Sequence, residues 1–300
     1  MILTVTLNAA LDVTYEVPPV AWDGVNRVSS VHRRAGGKGV NVARVLAALG
    51  QDVLVTGLAG GPTGRLVEAD LRAAGLPHAL CGVAADSRTT LAVTEPGRTT
   101  LFNEPGPEVT AAELSSFMEQ YDELLTGADV VVISGSLPRG VPADVYATLA
   151  AAAAGRGVPA VVDADGEPLR HAPAGRPSVV KPNAEELARA VPGGTAAEGA
   201  EELRARGAES VVVSLGADGL LAVTPEGVFG ARMPYRVEGN PTGAGDALVA
   251  GLALGLLEAT PWPDRLRRAA ALGAAAVAAP VAGDFDRDVY ADIHPQIVIT

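Results

Sequence analysis

The sequence predicts an α/β protein built on a largely parallel sheet. Strand-like and helix-like segments alternate along the chain, and several strand segments are unbroken β-branched runs, the mark of strands covered on both faces. Composition agrees: of 300 residues 48% are hydrophobic and 19% charged. A chain of that length and make-up can bury a full core, which excludes a disordered protein or a disulfide-stapled mini-scaffold.

Each element follows from local chemistry. Ile2 to Leu7 reads as the first strand. After a glycine-rich turn, Val42, Val45, Leu46 and Leu49 recur at i, i+3, i+4 and i+7, one apolar helical stripe, and Gly50 stops it. Asp52 to Leu58 is strand-like, and Thr63 to Ala74 is a helix ended by Gly75. Thr110 and Glu113 form a capping box before a helix running to about Leu125. Val130–Ile133, Val158–Val162, Ser178–Val180 and Ser210–Ser214 are further strands with helices between them; Ala244–Leu257 and Leu266–Ala279 are the last long helices.

Two stretches break the rhythm. Val13–Val17 and Arg27–Val31 are short β-like pieces separated by Pro18-Pro19, and Thr89–Glu95 and Arg98–Phe102 flank the turn Pro96-Gly97. Together they make either a small flap over the α/β body or plain surface decoration. No internal repeat is present.

Charge and cysteine usage narrow the function. The net charge of -12 disfavours neutralisation of a phosphate backbone, so nucleic acid is not the expected partner. Cys81 is alone, which leaves no disulfide framework and suits a reducing compartment. The start lacks the pattern of a signal peptide, and the Ala269–Gly283 stretch is too short and contains Pro280, so a cytoplasmic protein without a membrane span is expected. Of 23 cationic residues only Lys38 and Lys181 are lysines, and both lie in loops bearing Gly or Asn.

Lys38 is followed by Gly39, so no Walker A loop exists, and neither a dinucleotide fingerprint, a His-Glu-x-x-His nor a Gly-x-Ser-x-Gly elbow is present. Four segments remain. Asn240 to Ala247 opens a helix with Gly243, Ala244 and Gly245, whose unpaired N–H groups would face outward as an anion hole. Asp246 on the first turn could accept the proton of an attacking hydroxyl, or do no more than complement the helix dipole. Gly36-Gly37-Lys38-Gly39-Val40-Asn41 allows close approach of a ligand, with Asn41 able to bond a sugar hydroxyl pair. Lys181-Pro182-Asn183-Ala184-Glu185-Glu186 follows a strand, where Asn183 and Glu186 could hold a hydrated Mg²⁺ or simply cap a helix. Ser214, Gly216, Ala217, Asp218 and Gly219 form a loop suited to a nucleotide, or a plain turn.

In this order the four segments resemble the ribokinase/PfkB family of carbohydrate kinases, from Met1 to about Gly283. Within it the chain looks most like the 1-phosphofructokinase and tagatose-6-phosphate kinase branch, on the strength of Thr6-Leu7-Asn8-Ala9-Ala10-Leu11-Asp12, Asn103-Glu104-Pro105-Gly106-Pro107 and Ser134-Gly135-Ser136-Leu137-Pro138. The branch usually has Pro at the position of Ala9 and Ser at that of Ala247. The resemblance implies a three-layer α/β/α fold with a mostly parallel central sheet and a small β lid. The body would comprise 1–11, 36–87 and 105–300, and the lid 12–35 and 88–104.

It further implies an ATP-dependent phosphosugar kinase, most specifically one making fructose 1,6-bisphosphate from D-fructose 1-phosphate. A 6-phosphofructokinase, a tagatose-6-phosphate kinase, a free-sugar or nucleoside kinase, and more remotely a non-catalytic sensor are the alternatives. By matching position Asp246 is the base and Gly243, Ala244 and Gly245 the anion hole. Asp12, Gly36, Gly37 and Asn41 face the sugar; Lys38, Arg88 and, less directly, Arg27 face its phosphate. Lys181, Asn183, Ser214, Gly216, Ala217, Asp218 and Gly219 lie on the ATP side, with Glu186 and, through water, Asn183 at Mg²⁺. A monovalent cation and a homodimer through the lid complete the expectation.

Overall fold

The computed structural model describes residues 1–300. β1 (Ile2–Thr6) is fully buried. β2 (Ala10–Glu16) and β3 (Ser30–Gly36) then leave the main sheet for a second, smaller one. α1 (Lys38–Ala48) begins after Gly37 and buries Val42, Val45 and Leu46, the stripe that the period requires. β4 (Val53–Gly60), α2 (Gly61–Ala73) and β5 (His78–Val83) follow. β6 (Arg88–Glu95) and β7 (Arg98–Asn103) form the hairpin around Gly97, whose φ of 76° needs no Cβ. The capping box is made in full, Thr110 and Glu113 bonding each other's backbone at the start of α3 (Ala111–Leu124).

The alternation continues through β8 (Val130–Ser134), α4 (Val145–Gly155), β9 (Ala160–Asp163), α5 (Gly166–His171) and β10 (Val179–Val180). After these come α6 (Ala184–Ala190), α7 (Ala196–Ala205) and β11 (Ser210–Ser214). The hairpin β12 (Leu220–Thr224) and β13 (Gly227–Arg232), then α8 (Ala244–Leu257), α9 (Trp262–Val277), α10 (Arg287–Ile293) and β14 (Val298–Ile299) complete the chain.

The main sheet runs in the order β14-β13-β12-β11-β10-β9-β8-β1-β4-β5. Every pairing from β11 to β5 is parallel, and the three pairings beyond β11 are antiparallel. Strand residues alternate between two cores, as a period of two demands. Ile2, Val130, Val132 and Val161 join α1, α2, α8 and α9 on one face. Leu3, Val5, Val131, Ile133 and Val162 join α3, α4, α6 and α7 on the other. This is the three-layer α/β/α arrangement. Connections from β1 run one way through β4 and the other way from β8, so a crevice opens beyond the carboxyl ends of the strands at β1 and β8.

The smaller sheet is ordered β3-β2-β6-β7. Its second β-like piece, read from sequence at Arg27–Val31, begins three residues later, because the loop between β2 and β3 is closed by its own bonds. Ser29 ties back to Glu16, and Ala21 and Asn26 bond each other. β3 therefore pairs with β2 as far as Gly36, which puts Arg34 opposite Asp12 and Gly36 opposite Ala10. Small residues set the position of α8: a Cβ on Gly251 would stand 2.7 Å from the Ala269 Cα, so α8 and α9 close on each other without a spacer. No helix is long and apolar enough to cross a membrane.

Candidate active site

α8 points its first turn into the crevice. Gly243 is its N-cap at φ 88°, a left-handed geometry that L-residues adopt only with strain. The Ala244 N–H donates to the Pro241 carbonyl at 3.1 Å, whereas those of Gly243, Gly245 and Asp246 take no backbone acceptor. The expected oxyanion donors are thus shifted along the helix, because the Pro241 turn consumes the Ala244 amide. The remaining amides can bind a phosphoryl group at the positive end of α8.

Asp246 is buried on that turn. Asn41 donates its Nδ2 to Asp246 Oδ2 at 2.8 Å, which fixes the carboxylate and leaves Oδ1 free. The Asn41 amide nitrogen is thus engaged by Asp246. Burial, reinforced by the negative charge of Asp163, pushes Asp246 up to about 7 against the pull of Lys38, Asn41 and Lys181. A carboxylate so placed can take a proton from a hydroxyl near neutral pH.

Both lysines of the chain converge on one carboxylate. Asp163, at the end of β9, is 1% exposed; Lys38 Nζ lies 3.3 Å from each of its oxygens and Lys181 Nζ 3.3 Å from Oδ1. Ser134, ending β8, donates to its other oxygen at 3.2 Å. Burial works against the charge of Asp163, but Lys181 and Lys38 overcome it and hold the acid below the usual range. Burial likewise opposes Lys38, and Asp163, Asp246 and Glu186 together carry it above its ordinary value. Lys181 also reaches the anion hole, its Nζ lying 3.6 Å from where a Cβ on Gly245 would be.

Asp12 marks the other side. Its carboxylate occupies the space that a side chain on Gly36 would need, 1.9 Å from the position of such a Cβ. Burial pushes Asp12 up to about 6, against Arg88, the Thr90 hydroxyl, Arg34 and Arg44. Arg88 lies opposite Ala10 in the sheet register and donates through Nε to the Asn8 carbonyl at 3.1 Å. Arg27 is exposed in the loop before β3 and is not brought to this cluster.

On the third side Asn183 and Glu186 cap α6. Asn183 Oδ1 accepts from the Glu186 N–H at 2.8 Å, and Glu186 Oε2 accepts from the Asn183 N–H at 2.7 Å. Capping leaves Glu186 Oε1 free, and Glu186 and Lys38 line the same cavity of about 520 Å³, together with Ser136 and Asp165. No group of three His, Cys, Asp or Glu side chains converges as a metal cage. One free carboxylate oxygen beside a cation suits an ion that keeps its water and shares phosphate oxygens. Asn183 pairs with Ser214 as a parallel bridge, so the 181–186 and 214–219 segments adjoin. Gly216 and Gly219 have φ of 62° and 99°, while Ala217 and Asp218 are exposed in the turn between them.

Sequence reasoning missed Asp163, and it gave Asn8 and Ser134 no role in the site beyond their place in the family-like motifs. A charged residue ending the apolar run Val161-Val162 was the available signal for Asp163. Asn8 donates Nδ2 to Pro105 and Ser136 at 3.2 and 3.1 Å and so binds two loops to the end of β1.

A helix start with free amides, a held carboxylate and a pair of lysines at the switch point of an α/β sheet are groups of the kind that phosphoryl transfer uses. The family model for pfkB family carbohydrate kinases matches residues 6–286. Phosphofructokinase-2 from Escherichia coli, solved with potassium, is 32% identical over 98% of both chains with a TM-score of 0.92. A protein described as a possible 1-phosphofructokinase from Thermotoga maritima is 28% identical, with 100% of this chain and 99% of that one covered and a TM-score of 0.91. Ribokinase from Arabidopsis thaliana, with ribose and ATP, shares the fold at 19% identity and a TM-score of 0.75 over 98% of each chain. The chain belongs to the pfkB family of carbohydrate kinases, and is accordingly a phosphotransferase with an alcohol group as acceptor.

Proposed function

We propose that the chain phosphorylates a phosphosugar with ATP, converting D-fructose 1-phosphate to fructose 1,6-bisphosphate. The observation that carries this reading is the Asn41–Asp246 pair, 2.8 Å long, at the head of α8 beside amides without backbone acceptors. Asp246 Oδ1 takes the proton of the sugar hydroxyl as its oxygen attacks the γ-phosphorus in line. The bond from that phosphorus to the β,γ-bridging oxygen breaks and ADP leaves. The Gly243 and Gly245 amides and Lys181 meet the negative charge on the transferred group. Ala244 takes part by shaping the turn. Mg²⁺, when bound, neutralises phosphate charge, and Glu186 with Asn183 would hold it through water.

Asp12, Gly36 and Gly37 form the sugar wall. Arg88 and Lys38 face the phosphate already on the sugar, and a guanidinium fork suits such a dianion. Arg27 would join them only after a movement of its loop. The nucleotide lies along Asn183, Ser214, Gly216, Ala217, Asp218 and Gly219. Residues 12–35 and 88–104 act as the lid on a body of 1–11, 36–87 and 105–300, in the cytoplasm.

A second reading has fructose 6-phosphate as acceptor. It is favoured by the E. coli enzyme, which has been solved with that sugar and is 31% identical to this chain. ADP release with Mg·ATP, with and without potassium, separates the two. The panel holds fructose 1-phosphate, fructose 6-phosphate, tagatose 6-phosphate, fructose and ribose. The highest kcat/KM is expected for fructose 1-phosphate. Preference for fructose 6-phosphate selects the second reading, and turnover of free sugars alone contradicts the phosphate pocket.

A further inference from the structure

Arg34 stands where the small sheet meets the body. Its register partner is Asp12, so both side chains leave the same face of the sheet. The Arg34 guanidinium bonds to the turn after α9, donating to Asp284 Oδ1 at 2.6 Å and to the Ala282 carbonyl at 3.2 Å.

That turn is wedged into the site. Ala282 and Gly283 are the wall behind Gly243: a Cβ on Gly243 would stand 2.8 Å from the Ala282 Cα and 3.3 Å from the Gly283 nitrogen. On its other side Gly283 packs on the residues beside the base. A Cβ there would lie 3.2 Å from Asn41 Oδ1 and 3.0 Å from Arg44 Cδ. Arg44 in turn bonds Asp70, whose same oxygen accepts from the Ala35 N–H next to Arg34. One turn thus touches the anion hole, the holder of Asp246 and, through Arg34, the small sheet. The pair itself is partly exposed, with side chains 26% and 46% accessible. Such a pair adds little to stability, but two bonds from one planar fork fix a position.

We propose that Arg34 and Asp284 are a latch that seats the Val281–Gly283 turn against Gly243 and Asn41, so that the small sheet sets the geometry of the anion hole. Both are positioning residues; neither touches the reacting atoms. The inference rests on the kinase reading of the site.

Arg34→Ala, Asp284→Ala and the double variant test it in the full chain. Each single change is expected to lower kcat on the accepted sugar about tenfold or more, with KM for ATP held within about twofold. The double variant should be no worse than the poorer single one, since both break one device. ATP hydrolysed per sugar phosphorylated should rise, and Arg34→Lys, which keeps the charge without the fork, should fall between. Hydrogen exchange gives a readout independent of any substrate. The amides bonded at this junction, Asp284 to the Val281 carbonyl, Ala244 to that of Pro241 and Ala247 to that of Gly243, should exchange about tenfold faster in either single variant. Additive kinetic losses, or exchange unchanged from wild type, would overturn the latch. A wild type that phosphorylates no sugar overturns the kinase reading instead, and exchange still decides the latch.

Discussion

Asp246 combines two opposed requirements, being buried enough to exclude water and ionised enough to accept a proton. Burial and Asp163 raise it to about 7, while Lys38, Asn41 and Lys181 keep it from rising further. The gap from 3.8 to about 7 is worth roughly 4 kcal/mol of ionisation cost. Its sign matters. Because the folded value lies above the unfolded one, the fold binds the proton more tightly, and stability falls as pH rises between the two values. A charge on Asp246 is therefore destabilising at neutral pH, the state that the proposed base role requires. Activity runs the other way, because the base works deprotonated. We expect kcat/KM for the sugar to rise tenfold per pH unit below about 7 and to level off above it, in a pH–rate profile at saturating ATP. A flat profile from pH 5 to 8 would remove Asp246 from that role.

At the scale of elements, the small sheet carries the next expectation. Trp22, Val25 and Val28 in its long loop, Val31 on β3, and Leu101 and Phe102 on β7 are all exposed. By register Leu101 shares the face of Asp12, whereas Val31 and Phe102 leave the opposite face, and we propose that a second copy of the chain covers that face. The homodimer through the lid predicts twice the chain mass in sedimentation velocity, and a monomer for Phe102→Asp. A monomeric wild type at micromolar concentration would contradict it.

Elements with strong local signals were legible in sequence. The α1 stripe, the α3 capping box and the β6–β7 turn each depend on neighbours within a few residues. β3 was displaced because its end is set by β2, through the fit of Asp12 into the space at Gly36. β14 was missed because Val298 and Ile299 meet β13 across 66 residues or more of chain, whereas the β12–β13 hairpin closes locally around Pro225-Glu226 and was left unread. For the site, Asp246, Asn41 and Lys38 were legible by residue type in glycine-rich segments, and Lys181 in a Pro-Asn segment after a strand. Their grouping on Asp163 was not, since the tertiary fold alone brings β9 to α1 and β10.

The whole molecule explains why these parts meet. The carboxyl ends of the parallel strands deliver Asn8, Ser134, Asp163 and Lys181 to one edge, and α1 and α8 bring Lys38, Asn41 and Asp246 to it. A chain of net charge -12 thereby gathers its only two lysines where an anionic nucleotide and a phosphosugar would meet. In the proposed reaction transfer depends on one carboxylate. The most direct measurement is kcat of Asp246→Asn beside its dissociation constant for the sugar, with melting followed at pH 8. The account predicts that kcat falls about a thousandfold or more, that sugar binding stays within a few fold, and that the variant melts no lower than wild type. Near-normal kcat in a folded Asp246→Asn protein would contradict it.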